Sequence, residues 1–221
     1  MEVHFLKKIS DIEKQEWDSV VDSDYPFLEY NFLNILETST CVSEANGWSP
    51  FHLIVRNNNE IIAVMPLYVK TDSQGEFIFD WSWADAYYRN GLDYYPKLVS
   101  SIPFTPAAGP RLSIKKGNKR KEITELVHQA IKNVSDELDL SSMHILLPEV
   151  LELEEFIKAG FSLRTSYSFH WFNNKYKVFD DFLCDLTSRQ RKNIKKERQK
   201  IDAQGIKIER VRGKDISEEM I

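Results

Sequence analysis

Between Ser188 and Lys200 the chain carries Arg189, Arg191, Lys192, Lys195, Lys196, Arg198 and Lys200, with Glu197 as the opposing charge. On a helix such a run presents a positive face, while Leu183, Leu186, Ile194 and Ile201 supply a narrow apolar seam for docking. A face of this kind suits a phosphorylated acceptor, a nucleotide-linked sugar or a tRNA backbone. A solvated helix flank would explain the same composition.

A second concentration of chemistry lies in Asp80, Trp83, Asp85, Tyr87, Tyr94, Tyr95 and Lys97. Rings with polar tips suit a cleft that grips a sugar or a peptide. A carboxylate buried among them could take a proton from an acceptor amine, and Asp85 is the first choice because it sits among aromatics. An irregular loop wrapped onto the core by its rings is the competing reading. In Pro106-Ala107-Ala108-Gly109-Pro110-Arg111 the backbone can approach closely and Arg111 offers a fork for carboxylate or phosphate; a structural turn with an edge arginine fits equally. His144 has the alternation of a core-edge strand residue. His170, flanked by Phe169 and Trp171 on the opposite face, is the candidate for a cleft-facing imidazole. No Ser/His/Asp or Cys/His nucleophile arrangement is recognisable, and direct transfer to an amine needs none.

These residues need a scaffold, and 221 residues with 42% hydrophobic and 29% charged content suffice for a packed core. The opening stretch 2–7 alternates like a strand. Ser10 and Glu13 then have capping-box spacing for a helix, and a second helix is expected over about 27–38. Strands are expected at 51–56 and 60–69, joined by Asn57-Asn58-Asn59, since asparagine tolerates the positive φ of tight hairpins. Further strands are expected at 76–80 and 97–102, a long helix at about 119–138, a strand at 142–147 and a short helix at 149–159. Two more strands are placed at roughly 161–172, then a helix over 179–204 and a strand at 206–211.

Cys41 and Cys184 belong to no metal-ligand pattern, so no metal is expected, and two buried or half-buried free thiols in a reducing cytoplasm is the reading. The net charge of -5 argues against DNA binding by the whole chain while leaving room for a local basic surface. No apolar run approaches the roughly 20 residues of a membrane span, and the N-terminus lacks a secretory h-region.

Three stretches resemble the FemAB-like branch of the GNAT N-acyltransferase superfamily, a group linked to peptidoglycan biosynthesis or recognition. They are 79–112 (FDWSWADAYYRNGLDYYPKLVSSIPFTPAAGPRL), 160–172 (GFSLRTSYSFHWF) and 178–201 (VFDDFLCDLTSRQRKNIKKERQKI). The resemblance implies an α/β (α+β) fold with a mixed, mostly antiparallel sheet flanked by helices. It also implies tandem units, a first GNAT-like unit at 1–172 and a basic segment opening a second at 173–221, where the chain is expected to be cut short. The implied activity is acyl or aminoacyl transfer from acyl-CoA or aminoacyl-tRNA to an amine, such as that of a cell-wall precursor. Under that resemblance Asp85 and His170 are the catalytic candidates, and Trp83, Tyr87, Tyr94, Lys97, Arg111, Arg189, Arg191, Lys192 and Lys195 the substrate-binding ones. One departure stands out: where GNAT enzymes carry a [QR]xxGx[GA] pyrophosphate loop, this chain has Lys115-Lys116-Gly117-Asn118-Lys119-Arg120. A non-catalytic module for an anionic cell-wall or nucleotide-linked ligand, or RNA binding through the basic helix, are the alternatives.

Overall fold

The computed structural model describes residues 1–21, 24–167 and 169–220. The chain forms two compact units, Met1–Arg164 and Thr165–Ile221.

The first unit has the expected mixed, mostly antiparallel α/β architecture. Its strands are β1 (Glu2–Leu6), β2 (Trp48–Pro50), β3 (His52–Asn57), β4 (Glu60–Met65), β5 (Tyr68–Lys70), β6 (Lys97–Ser100), β7 (Ser113–Ile114) and β8 (Met143–Ile145). Its helices are α1 (Lys14–Asp18), α2 (Tyr30–Thr38), α3 (Trp81–Arg89), α4 (Arg120–Glu137) and α5 (Val150–Lys158). One sheet has the order β1-β3-β4-β7 and the other β2-β5-β6-β8. Pairing is antiparallel except between β6 and β8, which run parallel and are joined through α4.

The β3–β4 hairpin is the centre of the unit. Asn57 pairs with Glu60, and Asn58 and Asn59 both take positive φ (50° and 67°), the left-handed turn that the asparagine triplet predicts. Side chains alternate across the hairpin. Leu53, Val55, Ala63 and Met65 pack with Ile123, Val127 and Ile131 of α4, while Ile54, Ile61 and Val64 pack with Ile9, Trp17 and Leu33. A bulge opposite Val55 and Arg56 inserts Ile62, so Ile62 and Ala63, neighbours in sequence, join the same cluster. Helices cover both faces, which is why these strands read as continuous apolar runs rather than alternating ones. Pro66 lacks an amide donor and marks the break between β4 and β5. Across the break Phe51 donates its amide to Leu67 O at 2.8 Å, and buried His52 is tied to Glu37 at 2.8 Å.

Several local expectations are corrected. Ser10 lies inside a one-turn 3-10 segment (Ile9–Asp11), and Glu13 occupies the N-cap of α1. Residues 76–80 form no strand; they are the loop that leads into α3, and the aromatic stretch, for which an irregular loop is the competing reading, is helical over Trp81–Arg89. The described residues of 161–172 and all of 206–211 are in no strand; Ser168 lies outside the described residues. Both cysteines are exposed rather than buried.

In the second unit the expected single helix is two, α6 (Phe179–Cys184) and α7 (Ser188–Ala203). Thr187 starts α7 with a reciprocal capping box: its hydroxyl accepts from Gln190 N, and Gln190 Oε1 accepts from Thr187 N at 3.1 Å. Arg191 holds the two helices together by donating to Leu183 O, Cys184 O and Leu186 O at and just after the end of α6.

Candidate functional site

The chemistry of the first unit gathers around Lys97. This residue opens β6, directly opposite Lys70 of β5, and is fully buried. The loop after β5 returns over it. Lys97 Nζ donates to Asp80 Oδ2 at 2.6 Å, Glu76 Oε2 at 2.9 Å and Ser73 Oγ at 2.8 Å. Asp80 stands at the N-cap of α3, yet its carboxylate makes no cap bond to the helix amides; it serves Lys97 and the hydroxyl of Tyr94, at 2.7 Å, instead. Tyr95 shares its hydroxyl with Ser73 at 2.8 Å.

One buried ammonium thus faces two buried carboxylates. Burial pushes the Asp80 carboxyl up, but hydrogen bonds from Lys97, Ser73 and Tyr94, with the Lys97 charge, outweigh it and hold the group down at about 2. Glu76 goes the other way: burial pushes its carboxyl up, and Lys97 only partly offsets this. Glu76 Oε1 and Asp80 Oδ1 are buried oxygens without a hydrogen-bond partner among the described residues. Asp80 is therefore the more acidic of the two carboxyls.

Towards solvent the cluster ends at His144 of β8, whose side chain is 10% exposed. Its Nε2 lies 3.1 Å from Ser142 Oγ and 3.4 Å from the Tyr94 hydroxyl, and its Nδ1 is 3.9 Å from Asp80 Oδ2. Tyr94 has one hydroxyl proton and gives it to Asp80, so towards His144 its oxygen can only accept. Burial, then the positive charge of Lys97, hold the His144 ring down at about 4, against the opposing pull of Asp80. At neutral pH the imidazole is uncharged. Trp83 sets its ring edge-on to His144 at 6.2 Å, and Arg164 covers the Trp83 ring at 4.8 Å while donating to Phe79 O at 2.7 Å. Beside them Phe79 and Trp81 pack with tilted rings at 5.2 Å and remain largely exposed. The result is a neutral hydrogen-bonding group at the edge of an aromatic surface, backed by an ion cluster that fixes its surroundings.

Of the residues singled out from sequence, Trp83, Tyr94 and Lys97 meet here, and half-buried Tyr87 packs on Tyr94 at 5.1 Å. Asp85 does not join them. It lies on the exposed side of α3 in an i,i+4 pair with Arg89 at 2.7 Å. Arg111 is buried elsewhere, and its guanidinium donates to the carbonyls of Leu146, Gly109, Pro110 and Ala107. Those bonds staple the 107–111 turn to the chain after β8. Gly109 permits the close approach expected there: a Cβ on it would lie 2.2 Å from the Tyr25 ring. Sequence reasoning passed over Glu76 and His144, and included Asp80 in the stretch without choosing it. The apolar surroundings of Asp80 and the N-cap position before Trp81 were the available signals.

The loop before α4 holds Lys115 against Glu60 at 2.5 Å and Lys119 against Glu122 at 2.7 Å. Arg120 pairs with Glu152 and Glu155, Lys116 is exposed without an ion pair among the described residues, and the glycine spacing differs from that of a pyrophosphate loop. Among the described residues no His/Cys/Asp/Glu group could hold a metal ion, and no helix is long and apolar enough to cross a membrane.

The family profile named FemAB-like, peptidoglycan biosynthesis/recognition, matches residues 8–221. The chain belongs to the FemAB-like family. No curated protein matches it. Similar solved structures include the apo aminoglycoside 6'-N-acetyltransferase AAC(6')-IG of Acinetobacter haemolyticus, at 10% identity and TM-score 0.46, covering 78% of this chain and 98% of that one. A ribosomal-protein-alanine N-acetyltransferase from Brucella melitensis biovar Abortus 2308 has 10% identity and TM-score 0.46, with 77% and 100% covered. The aminoglycoside N-acetyltransferase AAC(6')-Iy in complex with CoA has 9% identity and TM-score 0.44, with 77% and 98% covered.

In this FemAB-like chain the remaining sequence candidates lie in the second unit. Arg189, Lys192 and Lys195 are exposed on α7, with Lys195 3.5 Å from Asp180, whereas Arg191 is spent on the α6 carbonyls. His170 is exposed and stacks on Phe172 at 6.3 Å.

Proposed function

We propose that this FemAB-like protein is an acyltransferase that moves an acyl or aminoacyl group onto an amine of a cell-wall precursor. The family match over residues 8–221 is the observation that carries the reading. In the reaction the amine nitrogen forms a bond to the donor's carbonyl carbon, and the bond to the thiol or hydroxyl leaving group breaks. One amine proton ends on solvent or on that leaving group. The protein's share is to orient a neutral amine and exclude competing water. Uncharged His144 offers a hydrogen-bonding nitrogen without repelling a protonatable amine, and exposed Trp83 and Trp81 with half-buried Tyr87 offer rings on which a sugar or peptide acceptor can lie. Asp80 and Lys97 act by holding Tyr94 and the ring in place. Lys192 and Lys195 offer charges for a phosphorylated substrate. The donor classes are acyl-CoA and aminoacyl-tRNA, both cytoplasmic, which supports a cytoplasmic site of action.

The test is mass-spectrometric detection of N-acylated product from muropeptide and nucleotide-linked acceptors, with acyl-CoA and aminoacyl-tRNA donors in separate arms. Product formation should fall at least about 100-fold in His144→Ala, the scale of a lost positioning or proton-accepting group. Asp85→Asn and His170→Ala run in parallel, since a larger loss in either would move the site to them. Absence of product with every donor would refute the transferase reading. A second reading, an acceptor-binding module without chemistry, is favoured by the glycine spacing of the 115–120 loop, which departs from a pyrophosphate loop; it predicts saturable binding of the same precursors with no turnover.

A further inference from the structure

We propose that the α6–α7 pair is a docking surface for an anionic lipid bilayer. From Ser188 to Ala203 the chain has seven Lys/Arg against Glu197 and Asp202. Folding sorts them. Ser188, Arg191, Lys192, Lys195, Lys196 and Gln199 line one shallow groove of about 600 Å³ along α7. Arg191 is bonded to α6 carbonyls, and Lys192 and Lys196 make no ion pair among the described residues. These are charges on long flexible stems, free to reach a phosphate plane.

The apolar residues next to them decide the partner. Lys195 meets Asp180 at 3.5 Å and Arg198 lies over the Phe179 ring at 4.5 Å, so the start of α6 stands beside the basic face. There Phe179, beneath Arg198, is 43% exposed, and Val178 before it is 61% exposed. A nucleic-acid backbone is matched by charge alone and leaves an exposed Val-Phe step without a role. A bilayer takes both: headgroup phosphates meet the lysines, and the valine and phenylalanine side chains enter the headgroup–acyl boundary. Charge complementarity therefore favours an anionic membrane surface, bound peripherally. This inference shares Lys192 and Lys195 with the transferase reading but uses no residue of the Lys97–His144 cluster, and vesicle binding measured without donor or acceptor fails or succeeds independently of turnover.

The experiment is sedimentation of the full chain with phosphatidylcholine vesicles containing 30% phosphatidylglycerol, against pure phosphatidylcholine and a 20-base-pair RNA duplex. Binding is expected to the anionic vesicles and not to the neutral ones, weakening as salt rises from about 50 to 500 mM. Lys192→Glu, Lys195→Glu and Lys196→Glu together should lower partitioning by at least roughly 100-fold with an unchanged circular dichroism spectrum. Val178→Ser, which leaves the charges and the helix in place, should lower it several-fold at fixed salt, a change that a purely electrostatic RNA surface would not show. Vesicle binding that is absent, or indifferent to the triple substitution, overturns the proposal. RNA binding without vesicle binding would do the same and make α7 a nucleic-acid surface.

Discussion

Replacing Lys97 by methionine removes an ammonium and keeps most of the stem. The structure then leaves Asp80 and Glu76, both sealed from solvent, without their cation, adding to the two unpartnered oxygens already there. Breaking a buried pair by deleting one partner costs about 3–5 kcal/mol, because the remaining charge keeps its desolvation penalty. The pH dependence gives the test its sign. Asp80 sits at about 2 when folded against an ordinary 3.8, so its pairing contributes about 2 kcal/mol that is fully present above pH 3.8 and lost as pH falls through 2. Glu76, with its carboxyl pushed up, works in the opposite sense: its ionisation costs stability at neutral pH and the cost vanishes on protonation. Without Lys97 both carboxyls rise and both can neutralise. The deficit of the variant should therefore be largest near pH 7.5 and shrink steadily towards pH 5. Urea unfolding followed by near-ultraviolet circular dichroism and tryptophan fluorescence measures it, since Trp17 and Trp48 are buried in the same unit. Lys115→Met is the control. Its partner Glu60 is exposed, and that pair should be worth no more than about 1 kcal/mol. A Lys97→Met deficit near 1 kcal/mol at pH 7.5, or one that grows on acidification, would refute the assignment of a buried ion cluster.

Three further outcomes follow from the same geometry. The His144 ring should titrate near 4 by NMR; because the unfolded chain takes a proton near 6.5, stability should drop as pH falls from 6.5 to 4, and His144→Gln should flatten that part of the profile. Arg111→Lys cannot reproduce the fork that reaches four carbonyls, and should destabilise the first unit by at least about 2 kcal/mol in urea. Thr187→Ala removes one half of the α7 capping box and should cost about 1 kcal/mol of helix stability, visible as lower helicity at 222 nm and restored by Thr187→Ser.

The sequence determined the features that depend on neighbours along the chain. The asparagine triplet made a hairpin, because two adjacent residues had to take positive φ and asparagine does so at small cost. The apolar spacing from Ile123 to Val134 made α4, which is helical over Arg120–Glu137 against an expectation of 119–138. Thr187-Ser188-Arg189-Gln190 even carries a capping-box signature, which marks where the single expected helix breaks in two. Tertiary structure decided the rest. Alternation over 161–172 resembles strands, but a strand exists only when another strand accepts its hydrogen bonds, and none pairs with the described residues there. The choice between Asp80 and Asp85 could not be made from spacing either. Both sit among aromatics in sequence, but one turn of helix separates a carboxylate sealed onto Lys97 from one paired with Arg89 in water. His144 reached the site by the parallel pairing of β6 and β8, a register set by packing across α4 rather than by any local pattern. Burial is a property of the assembled fold, and burial decides which of these charged groups can have unusual chemistry.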